Sequence, residues 1–132
     1  MFDDVIDNIP KTIIKKSSIH GFGLFSMVPV PKGRLLATLN GQVVPWWLHE
    51  KKQLTEEWNA LPGDLILVRP YKTKYYYINH SRKPNVIVVR NDNNSIDIFS
   101  CSDLSAGDEL LLDYRDEPLA ESYIKGHGAT YL

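Results

Sequence analysis

The residues best suited to chemistry lie in three short stretches far apart in the chain. Asn79-His80-Ser81 is followed by Pro84-Asn85, Glu109 stands four positions before Asp113-Tyr114, and His20 precedes Gly21-Phe22-Gly23. An amide carries donors and an acceptor, a neutral imidazole one of each, and a phenol with a pKa near 10 a hydroxyl that hydrogen-bonds without ionising. Each stretch also has a plain structural reading. Paired glycines mark a tight turn, Asn79 begins an Asx-type turn, His80 is a satisfied histidine in a polar loop, and Glu109 to Tyr114 is an edge strand with a half-buried tyrosine. The single cysteine, Cys101, and four scattered histidines are a poor zinc inventory, so no metal site is expected.

The elements that must position these residues read mostly as short strands. Apolar or β-prone runs occur at Thr12-Ile13-Ile14, Leu35 to Leu39, Gln42-Val43-Val44, Leu65 to Val68, Val86 to Val89, Ile96 to Phe99 and Leu110-Leu111-Leu112. Turn residues separate them at Pro31-Lys32-Gly33, Asn40-Gly41 and Ala106-Gly107-Asp108, and Asn91 to Asn94 reads as a hairpin tip. The clearest helix expectation is Pro45 to Asn59, with Trp46, Trp47, Leu48, Leu54 and Trp58 on or near one face; a weaker one spans Glu117 to Lys125. The expected class is therefore mainly β with short helices.

Composition excludes several functions. With 43% hydrophobic and 23% charged residues over 132 positions, the chain reads as one globular domain rather than a disordered segment. No apolar run approaches the ~20 residues of a membrane span, so no membrane partner is expected. A net charge of −1 argues against nucleic acid as the main partner. The sum hides a division: Leu65 to Asn91 holds six basic residues and no acidic one, whereas Asp97 to Glu121 holds eight acidic residues and one basic. The acidic segment is expected to flank a groove for a cationic peptide, unless it is simply a solvated face.

In order and spacing, the three stretches resemble signatures of the SET-domain family of protein lysine methyltransferases. Lys16-Ser17-Ser18-Ile19-His20-Gly21-Phe22-Gly23-Leu24-Phe25, with Val30-Pro31-Lys32-Gly33 after it, is similar to that family's Gly-x-Gly motif. Tyr77-Ile78-Asn79-His80-Ser81-Arg82-Lys83-Pro84-Asn85 resembles its aromatic-x-Asn-His-Ser-x-x-Pro-Asn signature, and Ala106 to Tyr114 its Ala-Gly-x-Glu-Leu-x-x-Asp-Tyr signature. The likeness makes residues 1–132 a single SET domain, with a core at 13–116, a variable insert at about 45–63 and a tail at 117–132. It implies a β-clip-like fold of small sheets with a C-terminal pseudoknot, S-adenosylmethionine as cofactor, and methyl transfer to a lysine entering from the opposite face. Tyr114 is implied as the catalytic residue and a cofactor neighbour. His20, Gly21, Phe22, Gly23, Asn79, His80 and Tyr123 are implied to bind the cofactor. The glycines would admit close approach to the backbone, and Asn79 would meet an amino-acid zwitterion. Leu39, Tyr77 and Leu112 are implied to line the substrate channel.

Two positions depart from the pattern. Leu39 stands where a channel tyrosine is common, and Leu112 where phenylalanine or tyrosine is common. They keep open a second function, a SET-fold binding or regulatory module with weak or no catalysis. The family's cysteine-rich zinc-binding flanks are missing, so Tyr123 or Tyr131 would have to close the cofactor cleft. The expected partner is a basic protein, such as a histone tail. The chain is expected to act as a monomer or homodimer in the cytoplasm, or in the nucleus of a eukaryote.

Overall fold

The computed structural model describes residues 4–52, 57–118 and Lys125. Along the chain, β1 (Thr12–Lys16) pairs antiparallel with β2 (Phe22–Ser26), in a register that sets Lys16 opposite Phe22. The turn between them closes through the Ser17 amide on the Gly21 carbonyl at 2.8 Å. Gly21 has φ +46°, a conformation that disfavours a Cβ. β3 (Leu35–Leu39) leads into β4 (Gln42–Pro45), the helix α1 (Trp46–Lys52), β5 (Glu57–Leu61) and β6 (Leu65–Arg69). These last strands form an antiparallel sheet in the order β4-β6-β5. A 3-10 turn η1 (Lys74–Tyr77) runs into β7 (Asn79–His80). β8 (Val86–Arg90) and β9 (Ile96–Ser100) form the expected hairpin, whose tip closes through the Asn94 amide on the Asn91 carbonyl at 2.9 Å. With β3 they make a second antiparallel sheet, β3-β9-β8. β10 (Leu111–Leu112) and a 3-10 turn η2 (Tyr114–Asp116) follow.

Every run read as a strand in the sequence is one, though β10 starts a residue later, at Leu111. The helix expectation needs correction. α1 ends at Lys52, and Trp58 and Asn59 belong to β5, opposite Val68 and Leu67 of β6. The tryptophans still meet, with Trp46 and Trp58 ring centroids 5.1 Å apart, because the helix packs on the strand rather than because they share a helical face. They form a satellite cluster with Ile66 and Val68. The second helix does not begin at Glu117, whose backbone is extended at φ −80°, ψ 148°. Most of its expected span lies outside the described residues.

The main core gathers Leu24, Leu39, Ile78, Val86, Ile98, Leu110 and Leu112 from almost every element. Ile78 and Leu110 are buried immediately before Asn79 and two residues after Asp108, so the two polar signatures are each anchored by an apolar side chain in the same core. Burial of a side chain of that size contributes roughly 1.5–3 kcal/mol.

Candidate functional site

The second and third sequence signatures meet along one short parallel ladder. β7 pairs with β10, Asn79 opposite Leu111 and His80 opposite Leu112. The pairing extends beyond the strands. The Ser81 amide donates to the Leu112 carbonyl and the Asn85 amide to the Leu111 carbonyl, both at 3.0 Å. The Asn85 side chain works from both ends, donating to the Glu109 carbonyl and accepting from the Leu111 amide, each at 2.8 Å. A two-residue strand is weak by itself, and this asparagine gives it the reach of a longer one.

Tyr114 follows directly. Its backbone amide donates to His80 Nδ1 at 3.0 Å, its hydroxyl donates to the Ile78 carbonyl, and its ring lies 5.0 Å from the imidazole. A ring nitrogen that accepts carries no proton, so this hydrogen bond assigns the His80 hydrogen to Nε2. The 3.8 Å separation between Nδ1 and Asp113 is accordingly not an ion pair. Asp113 instead faces Arg115, at 2.6 Å and 3.0 Å, and caps η2 through the Arg115 amide. The Arg115 hydrogen bonds outweigh partial desolvation and hold the Asp113 carboxyl at a pKa of about 2. Asp113 thus fixes the turn that aims Tyr114.

The first signature joins the site at Asn79. Its Nδ2 lies 2.8 Å from Glu109 Oε2 and 3.1 Å and 3.2 Å from the His20 and Phe22 carbonyls. Glu109 also accepts the Ser17 hydroxyl at 2.9 Å and 3.0 Å. Ser17 in turn accepts from the Ile19 and His20 amides, which shapes the turn before Gly21. A Cβ on Gly23 would stand 2.2 Å from Glu109 Oε2. The space that glycine leaves there is filled by the chain's own carboxylate, whereas a Cβ on Gly21 would meet nothing within 4 Å.

A buried polar network lies behind these residues. Glu117 accepts from Asn59 Nδ2 at 2.8 Å and from the Tyr75 hydroxyl at 3.0 Å. Asn59 Oδ1 accepts from Arg69 at 2.5 Å, and Arg69 pairs with Glu57 and donates to the Asn40 carbonyl at 3.1 Å. Glu57 holds the Thr73 amide at 2.8 Å, and Thr73 caps η1. The network therefore ties β5 and β6 to η1, which carries Tyr77, and to η2, which carries Tyr114. One guanidinium serves two buried carboxylates. Desolvation consequently raises the Glu117 carboxyl to a pKa of about 7, against the hydrogen bonds from Asn59 and Tyr75. Burial, then the Glu117 charge, pushes the Tyr75 phenol well above 10.

Of the residues singled out in the sequence, His20, Gly21, Phe22, Gly23, Asn79, His80 and Tyr114 come together around the β7–β10 ladder. Tyr77 is half-buried beside it, its ring edge-on to Tyr76 at 5.2 Å. Leu39 and Leu112 are 1% and 0% exposed and belong to the main core. Tyr123 and Tyr131 lie outside the described residues. Sequence reasoning gave no cofactor, channel or catalytic role to Ser17, Asn59, Tyr75, Glu109 or Glu117. Glu109 carried a signal, since it lies inside the third signature. The acidic segment divides between outward-facing and inward-facing carboxylates among the described residues. Asp97 accepts the Thr38 hydroxyl, Asp103 the Lys32 amide and Asp108 the Ser105 amide, while Glu109, Asp113 and Glu117 face inward. Burial withdraws Asp113 and Glu117 from the surface, whereas Asp103 and Asp108 remain exposed. Among the described residues no group of three or more metal-ligating side chains occurs, and no helix is long and apolar enough to cross a membrane.

Comparison with known proteins gives a consistent result. A family model described as SET domain matches residues 21–115. The histone-lysine N-methyltransferase ATX2 of Arabidopsis thaliana is 30% identical over 123 residues, covering 80% of this chain and 11% of the plant protein. Among solved structures, the humanized mutant of the Chaetomium thermophilum Polycomb Repressive Complex 2 bound to the inhibitor GSK126 aligns with a TM-score of 0.65 at 21% identity, over 82% of this chain and 15% of that one. The same mutant complex bound to GSK343 gives 0.66 at 21%, over 86% and 16%. These structural likenesses carry the fold, and the chain spans only a small part of each relative's length.

Proposed function

The chain belongs to the SET-domain family of lysine methyltransferases, and from that premise we propose that it is a protein-lysine N-methyltransferase that takes its methyl group from S-adenosylmethionine. The observation that carries this reading is the junction at Tyr114. Its amide is fixed on His80, its hydroxyl on the carbonyl that precedes Asn79, and its turn on Asp113 and Arg115. A phenol held from both ends is suited to orienting a reacting group.

The residues fit the cofactor. His20 and Gly21 are exposed, a Cβ on Gly21 would meet only open space, and the Asn79 amide stands beside the His20 carbonyl with its donor side already engaged. Asn79, His80 and the His20–Gly23 backbone would hold it. S-Adenosylmethionine supplies a methyl carbon activated by a sulfonium leaving group. What the chain must add is alignment and a neutral amine. A free lysine has a pKa near 10.4, so deprotonating it near pH 7.4 costs roughly 4 kcal/mol. Desolvation between Tyr77 and Tyr114 lowers that cost, since burial disfavours the ammonium form. The Tyr114 hydroxyl and the Ile78 carbonyl then orient the amine lone pair, a contribution of proximity rather than of acid–base chemistry.

The substrate class we propose is a basic protein, with histone tails first to be tried because the plant relative is named for histone lysine. Incubation with isotope-labelled cofactor and a cell lysate, followed by mass spectrometry, should report labelled lysines. Tyr114→Phe should lower transfer roughly 100-fold or more while calorimetric cofactor binding persists. Unchanged turnover in that variant would remove Tyr114 from the mechanism. Cofactor binding without transfer to any protein would instead favour the binding-module reading, for which Leu39 and Leu112 supply no hydroxyl or aromatic edge.

A further inference from the structure

We propose that Glu109, backed by Ser17, is a positioning residue that fixes the polarity of the Asn79 amide, and thereby selects a cofactor that carries an α-ammonium group. This rests on the cofactor reading above. Asn79 Nδ2 faces a carboxylate oxygen and two backbone carbonyls, at 2.8, 3.1 and 3.2 Å. All three can only accept. The opposite orientation of the amide would aim its oxygen at three other oxygens, so the NH2 group is held inward and the carbonyl oxygen outward. Among the described residues no donor is bonded to that oxygen. The group that can fill it is a hydrogen-bond donor, and a cationic donor forms the stronger bond. A zwitterionic amino acid supplies one in its ammonium. The donor-plus-acceptor role expected of Asn79 from sequence is thereby reduced to that of an acceptor.

Glu109 is built for this task. Ser17 takes the Ile19 and His20 amides on its oxygen and sends its own proton to Glu109, so a run of oriented donors ends on the carboxylate. Asn79 meets the same sink from the other side. The carboxylate is seated in the notch left by Gly23, where a methyl group would be 2.2 Å from Oε2. Position and polarity are therefore set by Ser17 in the turn before β2 and by Glu109 before β10, neither of which needs to touch the ligand.

The test is calorimetry on the full chain with two ligands, S-adenosylhomocysteine and its deaminated analogue, in which hydrogen replaces the α-amino group. The wild-type chain should bind the amino compound at least ~10-fold more tightly. In Glu109→Gln that ratio should fall to about 3 or less, with the affinity for the deaminated analogue retained. Ser17→Ala should move the ratio the same way by less, and it carries the test if Glu109→Gln does not fold. A wild-type ratio in the variants, or equal weakening of both ligands, would overturn the proposal, because a purely structural role does not distinguish the two compounds. If the wild-type chain binds neither ligand, the cofactor reading itself fails. If it binds both equally, only the present inference fails.

Discussion

Replacing Glu117 by glutamine should change how the stability of the chain depends on pH. Glu117 is 8% exposed and shares one buried network with Arg69 and Glu57. The groups that face it are the Asn59 amide, the Tyr75 hydroxyl, the Ala60 backbone amide and, at longer range, the Arg69 guanidinium. Arg69 is matched by Glu57, so a charged Glu117 adds an excess negative charge in a desolvated place. Its pKa rises from 4.5 to about 7. A carboxyl raised on folding contributes stability that is fully present below the unfolded value and is lost as pH rises through the folded one. The shift corresponds to about 3 kcal/mol, lost progressively between roughly pH 4.5 and 7.5. Glutamine keeps an oxygen for Asn59 and Tyr75 and does not titrate. Urea unfolding of both proteins at pH 5, 6, 7 and 8 isolates the effect, because every other titrating group cancels in the difference. The variant should gain relative to wild type by about 2.5 kcal/mol across that range, because part of the shift is already lost by pH 5, whatever the offset there. The ionisation of Tyr75 lies above the range and that of Asp113 below it. Parallel curves, with a difference constant to within roughly 0.5 kcal/mol, would refute the argument that the network carries one carboxylate too many.

Three further outcomes follow from the same geometry. Arg69→Met strands Glu57 in the interior and should cost about 3–5 kcal/mol in urea unfolding, and adding Glu57→Gln to it should recover part of that loss. If the double variant were no more stable than the single one, the charge argument would be wrong. Gly23→Ala drives a methyl group into the Glu109 carboxylate, so it should cost about 1–3 kcal/mol and weaken cofactor binding, read by thermal melts and calorimetry. Asp113→Asn removes a carboxyl whose pKa is held down to about 2 by Arg115. The wild-type chain should lose that contribution as pH falls from about 4 through about 2, and the variant should show a flatter acid limb in circular dichroism melts.

The sheets were legible because their signal is local. An apolar run such as Val86 to Val89, or the alternation at Ile96 to Phe99, dictates a strand wherever a partner lies, and Asn91 to Asn94 dictates the reversal between them. Trp58 misled the helix assignment because a tryptophan eleven positions after Trp47 falls on one helical face as readily as it makes a strand–helix contact; pairing with β6 decided the matter. β7 had no local signal at all. Asn79 and His80 are polar and only two residues long, and the ladder exists because β10 supplies the other half.

The same reasoning explains which parts of the site stayed hidden. The motif resemblance located Asn79, His80 and Tyr114, but it assigned residue types to roles one at a time. Glu109 acts on Ser17 across 92 positions, and Glu117 on Asn59 across 58. In sequence both belong to an acidic run that reads as a surface for a cationic partner, since unpaired carboxylates are normally solvated. Folding brings donors to them that no local pattern announces: a serine from the first turn, an asparagine from β5 and a tyrosine from η1. Once those donors are counted, Glu109 and Glu117 belong to the interior networks and not to a charged surface. If the substrate is a basic protein, as proposed, the attraction would rest on the outward carboxylates such as Asp103 and Asp108 and not on the buried Asp113 and Glu117, so the net charge of residues 97–121 overstates it.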